Sequence, residues 1–143
     1  MTLHLTPAYS GFRGGPISRA YNEAAFKYFL DADRRRIERT ERSIILVLAS
    51  VRQGPGRNAP LTDAIAARLF DGLAASVREV DFVGWYREGR VAGAVLPQAI
   101  GPASQLREVI AKRIRISLQR VLPPDLAACL HVRVVRVRGK EQR

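Results

Sequence analysis

The chain reads Asp-Phe-Val-Gly-Trp-Tyr-Arg-Glu-Gly-Arg-Val-Ala-Gly-Ala-Val-Leu over residues 81–96, two apolar runs separated by Glu88-Gly89. Two such runs joined across a short turn that contains glycine predict a β-hairpin. Its first strand carries Trp85 and Tyr86 in succession. Because strand side chains alternate between the two faces of a sheet, at least one of these rings is expected in the core.

Strands and helices are also predicted on either side of this hairpin. Residues 43–51 form a continuous apolar run rich in β-branched side chains, which indicates a strand buried on both faces. Residues 53–60 are rich in Gly and Pro and predict a loop, after which Thr62 offers the N-cap of a helix that reaches residue 77.

The remaining elements follow from the spacing of apolar residues. Helical spacing predicts an amphipathic helix over 19–42, with its arginine run on a solvated face, and another over 106–121 that Pro123-Pro124 ends. Alternation predicts a last strand over 129–137.

This order predicts an α+β fold with a ferredoxin-like β-α-β-β-α-β core. In that arrangement a four-stranded sheet carries helices on one face, and here an extra N-terminal helix precedes it. With 143 residues the chain suffices for one domain, expected over 19–138 between a flexible leader (1–18) and a basic tail (139–143). Many unrelated functions share this fold, so function has to be argued from particular residues.

The composition is strongly basic, with a net charge of +11 at pH 7. Residues 102–143 hold ten of the 24 Lys and Arg but only three of the 13 Asp and Glu. Such a field attracts nucleic acid, an anionic membrane surface, a nucleotide or an acidic protein, and it also serves ordinary solubility. A single cysteine and the absence of a long apolar run predict a cytoplasmic protein without a signal peptide or a membrane span.

Few residues of the chain suit metal or nucleophile chemistry. Its two histidines, His4 and His131, are far apart in sequence, and Cys129 near His131 is most simply a half-buried thiol. The loop from Gly54 to Pro60 lacks the Lys and hydroxyl of a phosphate-binding Walker loop. We therefore expect no metal site and no cofactor.

Residues 78–97 resemble the central hairpin of the GGDEF, or diguanylate cyclase, domain. That family has an Arg-x-x-Asp at a helix-to-strand junction, then after five residues the Gly-Gly-Asp/Glu-Glu-Phe hairpin, then an apolar strand ending in Leu-Pro. Arg78, Asp81 and Leu96-Pro97 occupy the corresponding positions here. The likeness extends over about residues 26–137, and it implies a nucleotide-cyclase-like fold.

The residues that catalysis requires in that family differ in this chain. Cyclase chemistry needs carboxylates on the first strand and the hairpin to hold magnesium against a triphosphate. No Asp or Glu occurs between Glu41 and Asp63, where Ala49-Ser50-Val51 ends the first strand. Arg87-Glu-Gly-Arg-Val91 replaces the hairpin signature. The resemblance therefore implies a catalytically inactive domain, with neither catalytic nor metal-binding residues.

Arg78 and Asp81 match the family's inhibitory site for cyclic di-GMP. A guanidinium donates in a fork to guanine O6 and N7, and a carboxylate accepts from the N1–H and N2–H₂ edge. The ligand's phosphates would need cations, for which Arg87, Arg90 or an arginine of the C-terminal third are candidates. The alternative is that Arg78 and Asp81 form only a local salt bridge or cap at the helix-to-strand junction.

Two functions of different class remain open. The first is a regulatory module that binds cyclic di-GMP, or only protein, and docks on a partner or a second copy through its first helix, which in related domains continues from a dimerising coil. The second is a nucleic-acid-binding domain that uses Arg133, Arg136 and Arg138 on the sheet. The first and last predicted strands lack the paired aromatic residues that RNA-reading sheets use for stacking, which weighs against the second function.

Overall fold

The structure of the protein, a computed structural model, describes residues 20–38, 43–76, 81–96 and 103–138. The predicted leader (1–18) and basic tail (139–143) lie outside these ranges. The strands are β1 (Ala20–Tyr21), β2 (Ser43–Gly54), β3 (Arg57–Asn58), β4 (Phe82–Arg87), β5 (Val91–Leu96) and β6 (Leu130–Arg138). The helices are α1 (Glu23–Arg36), α2 (Asp63–Ser76), α3 (Ala103–Val121) and α4 (Pro124–Ala127).

The fold is α+β, and the strands form one mixed sheet in the order β1-β4-β5-β2-β3, with β6 also paired to β2. β1 runs parallel to β4, whereas the other pairs are antiparallel. β2 is central, because its residues 45–49 pair with both β5 and β6. The predicted hairpin, the buried strand and the last strand are confirmed.

The prediction of four strands is wrong, because the sheet has six. Ala20–Tyr21 pairs with β4 before the helix begins, and Asn22 then caps α1 by accepting a hydrogen bond from the Ala25 amide at 2.8 Å. The predicted loop over 53–60 instead turns back at Gly56, whose φ of 71° suits glycine, and it pairs Arg57–Asn58 with the end of β2. Two-residue strands leave no periodic pattern in a sequence.

Helices cover both faces of the sheet. α2 and α3 pack on one face, where Phe70 contacts Trp85 edge-on at 5.1 Å between ring centroids. α1 packs on the opposite face, where Phe26 joins Leu46 and Val95 in a second apolar cluster. The predicted extra N-terminal helix thus covers the face that α2 and α3 leave open. Trp85 is in the first core, as expected, while Tyr86 contacts Phe26.

Two glycines set the distance between α1 and the hairpin. Gly84 and Gly93 are partners in register on β4 and β5, and the ring of Phe26 lies over them. A Cβ on Gly84 would lie 2.9 Å from Phe26 Cδ1, and one on Gly93 would lie 2.8 Å from Phe26 Cζ. Only glycine at both positions lets α1 approach this closely. The helix therefore lies along the hairpin, with one end near the turn and the other near Asp81.

Candidate functional site

Asp81 lies immediately before β4, at the end of the hairpin away from its turn. Its amide donates to the Val95 carbonyl at 2.7 Å, which fixes the backbone, and the residue is exposed to solvent. Arg78, its predicted partner in recognising guanine, lies outside the described residues. The structure therefore places one half of the predicted pair.

Asp33, in the last turn of α1, contacts Asp81. It is only 7% exposed, its carboxyl interacts with the Asp81 carboxyl, and it accepts a hydrogen bond from Arg36. Burial raises the pKa of Asp33, and the Asp81 carboxylate raises it further, whereas Arg36 acts in the opposite direction.

Asp33 and Arg36 are not among the predicted site residues, because the helical pattern assigns the charges of α1 to a solvated face. The spacing of Asp33 and Arg36, three residues apart on a helix, was a visible signal of an ion pair. Nothing in the sequence shows that Asp33 approaches Asp81, 48 residues later. That contact depends on how α1 packs against β4.

The other end of the hairpin is bonded to the N-terminus of α1. The amide of Glu88 donates to the Glu23 carboxylate at 2.7 Å, and the amide of Glu23 donates to Glu88 Oε1 at 2.9 Å. Donation by the Glu88 amide lowers the pKa of Glu23, and the neighbouring Lys27 ammonium lowers it further. Two reciprocal hydrogen bonds therefore tie the turn to the start of α1.

The same turn is also bonded to the segment between β3 and α2. Arg90 Nη1 donates to the Asn58 carbonyl at 2.7 Å, and the Leu61 amide donates to the Gly89 carbonyl at 2.8 Å. Arg90, which the sequence offers as a phosphate ligand, thus has a structural contact here.

The structure does not bring the predicted ligand-binding residues together. Arg87 ends β4 and Arg90 follows the turn, whereas Asp81 precedes β4. Six residues of extended strand separate Asp81 from Arg87, a distance of about 20 Å. Since the phosphates of a cyclic dinucleotide lie one sugar away from each base, a guanine on Asp81 leaves its phosphates far from this turn. Arg36 bonds to Asp33, the acid that interacts with Asp81.

The first strand does not end at Val51 as predicted, because β2 continues to Gly54, and residues 49–51 within it carry no carboxylate for a metal ion. Ala49, Ser50 and Val51 are all buried. Across the ranges that the structure describes, no group of three or more His, Cys, Asp or Glu side chains could hold a metal ion.

The predicted C-terminal basic surface is divided between two faces of the sheet. Arg133 and Arg136 are three residues apart on β6, so their side chains lie on opposite faces. Arg136 Nε donates to Ser43 Oγ at 2.7 Å, which ties this arginine to β2. The side chain of Arg138 is not among those described. Arg133 and Arg136 consequently do not form a continuous track for a nucleic-acid backbone.

No helix in the described part of the chain combines the length and apolar character needed to cross a bilayer. No protein-family model matches the sequence, and no curated protein matches it either.

Proposed function

We propose that this chain is a non-catalytic, GGDEF-like regulatory domain that binds cyclic di-GMP through Arg78 and Asp81 and acts through protein contacts. The observation that carries the proposal is the exposed Asp81 carboxylate, held on a fixed backbone beside Asp33 and Arg36. In this arrangement Asp81 accepts from the guanine edge, and Arg36 supplies positive charge near the ligand.

The strand order supports the ferredoxin-like part of this proposal. Setting the two-residue strands aside, the remaining order is β6-β2-β5-β4, and each neighbouring pair is antiparallel. This is the pairing that a β-α-β-β-α-β core needs when its two helices, α2 and α3, share one face. The N-terminal helix on the other face is an addition to that core.

The proposed lack of catalysis is supported by residues 49–51 within β2 and by those at the hairpin turn. The buried Ala49-Ser50-Val51 segment offers no carboxylate for magnesium, and Glu88 and Arg90 are engaged inside the fold. We expect no pyrophosphate release from GTP with Mg²⁺, measured against an active cyclase as the positive control.

The outer face of α3 supports the proposed protein contacts. Val109 and Ile116 are 58% and 42% exposed, and as residues seven apart they lie on one face of the helix. The exposed side chains of Lys112 and Arg113 lie between them. Apolar groups flanked by cations suit a partner surface that carries apolar and acidic side chains.

Calorimetric titration of the full chain with cyclic di-GMP tests the proposed binding. We expect saturable heat for the wild type and loss of that heat for Arg78→Ala and for Asp81→Asn. Arg57→Ala is the matched control, because Arg57 is an exposed arginine on β3, far from Asp81 in the sheet. This control should bind as the wild type does.

Two results would contradict the proposed binding. One is the absence of heat from the wild type at ligand concentrations up to about 1 mM. The other is equal affinity for the wild type and Arg78→Ala, which would reduce Arg78 and Asp81 to a local cap.

A further inference from the structure

Basic side chains gather where β2 leaves the centre of the sheet beside the start of β6. His131 is paired in register with Ser50, and the amide of Arg52 donates to the Cys129 carbonyl at 2.8 Å. Because side chains alternate along a strand, Arg52, His131 and Arg133 all lie on one face of the sheet. This is the face on which α1 packs, mainly over β4.

Arg52 has an unsatisfied donor in this cluster. Its Nε is buried and has no hydrogen-bond partner among the described residues. A buried donor without an acceptor costs more than an ordinary hydrogen bond contributes, so native structures rarely leave one unpaired. The position of Nε therefore calls for an acceptor.

Two guanidinium groups flank His131 along this face, Arg52 on β2 and Arg133 on β6. Burial lowers the pKa of His131, and the positive charges of Arg52, Arg133 and Arg115 lower it further. Neither Arg52 nor Arg133 takes part in the ion pairs seen on α1. Positive charge is thus concentrated here on two neighbouring strands, β2 and β6.

We infer that Arg52, His131 and Arg133 form a binding site for a single phosphate group of a small phosphorylated molecule. Guanidinium forks match the oxygens of phosphate, and a dianion offsets more of this charge than a carboxylate does. One phosphate oxygen would accept the Arg52 Nε hydrogen. Protonated His131 would donate to another.

This site is independent of the one proposed at Asp81. β6 and β4 are separated by β2 and β5, about 14 Å across the sheet. The cluster is also compact, because Arg136 lies on the other face of β6 and bonds to Ser43. A compact set of cations favours one phosphate group over the extended backbone of a nucleic acid.

NMR of the histidine side chains tests the inference on the full chain. Inorganic phosphate is added at constant ionic strength, with chloride as the compensating anion, and the chain's other histidine, His4, serves as an internal reference. We expect a saturable shift of the His131 resonances and a rise in its pKa, with little change at His4. Arg133→Gln should weaken phosphate binding at least about tenfold.

The controls separate this site from general attraction to positive charge. Arg34→Gln removes the same charge from an exposed position on α1 and should leave phosphate affinity unchanged. Arg52→Gln should lose affinity as Arg133→Gln does, and since Arg133 is exposed, its variant keeps the test valid if Arg52→Gln misfolds. Equal responses to phosphate and chloride, or equal losses in Arg34→Gln and Arg133→Gln, would overturn the inference. Binding of a single-stranded oligonucleotide without any response to phosphate would also overturn it.

Discussion

The two ends of the β4–β5 hairpin meet the same helix with opposite electrostatics. At the turn, Glu23 accepts a hydrogen bond from the Glu88 amide, which lowers the pKa of this acid. At the other end, Asp33 is buried against a second carboxyl group, Asp81, which raises its pKa. The first arrangement stabilises the fold, whereas the second keeps an unfavourable pair of acids in place. Perturbed acids of the second kind cluster at binding and catalytic sites, which favours the Asp81 end as the functional one.

The largest expected effect comes from the side chain that holds α1 to the hairpin. Phe26→Ala removes the ring that lies over Gly84 and Gly93, and we expect it to lower the free energy of unfolding by about 3–5 kcal/mol. Urea denaturation followed by circular dichroism measures the loss. A loss below about 1 kcal/mol would mean that α1 is not held by this contact.

At the turn, Glu23→Gln tests the stabilising end of the comparison. The lowered pKa means that the carboxylate stabilises the fold at pH values above 4.5, the ordinary pKa of this group. The stabilisation is lost as the pH falls through the pKa in the folded state. We expect Glu23→Gln to destabilise the fold by up to about 1 kcal/mol at pH 7, and by much less in acid. Denaturation of both proteins at pH 7 and pH 3 measures their free energies of unfolding. An equal difference between the two proteins at both pH values would contradict this expectation.

At the other end, Asp33→Asn should act with the opposite sign. The raised pKa means that the proton on Asp33 stabilises the fold fully below the ordinary value of 3.8, and that this effect is lost as the pH rises through the folded pKa. Asparagine keeps a donor toward Asp81 without this loss. We expect the free energy of unfolding of Asp33→Asn to exceed that of the wild type by about 0.5 kcal/mol at pH 7, and this difference to shrink toward pH 4. A variant less stable than the wild type at pH 7 would show that the pair with Arg36 outweighs the repulsion.

The smallest expected effect is that of Arg87→Ala on ligand binding. Arg87 lies at the turn, about 20 Å from Asp81, so we expect the affinity for cyclic di-GMP to stay within about twofold of the wild type. Calorimetry under the conditions used for Arg78→Ala makes the comparison. Loss of binding comparable to that of Arg78→Ala would move the functional end of the hairpin to its turn.

The elements that could be predicted are those with a local pattern. The apolar run of β2, the alternation of β6 and the Glu88-Gly89 turn can each be recognised within a few residues. The predicted N-cap of α2 is confirmed as well, since the Thr62 hydroxyl accepts a hydrogen bond from the Ile65 amide at 3.2 Å. β1 and β3 were missed because two-residue strands are decided by their partners. These partners, β4 and β2, become neighbours only in the folded chain.

The site was less predictable because its contacts are long-range. The Arg78-x-x-Asp81 motif is visible in the sequence. The contact between Asp33 and Asp81 and the reciprocal bonds between Glu23 and Glu88 are not, because they depend on how closely α1 packs on the hairpin. That packing is set by Phe26, whose ring lies over Gly84 and Gly93. Arg87 and Arg90 were predicted to act together with Asp81, but the length of β4 keeps them apart from it. A hairpin brings its strands side by side and keeps its two ends apart.

The most direct test of the account maps where cyclic di-GMP binds on the ¹⁵N-labelled full chain. We predict that amide shifts on titration concentrate at Asp81 and at the last turn of α1, around Asp33 and Arg36, with residues 87–90 unchanged. Shifts concentrated at residues 87–90, or no saturable shift anywhere, would contradict the assignment of recognition to the Asp81 end.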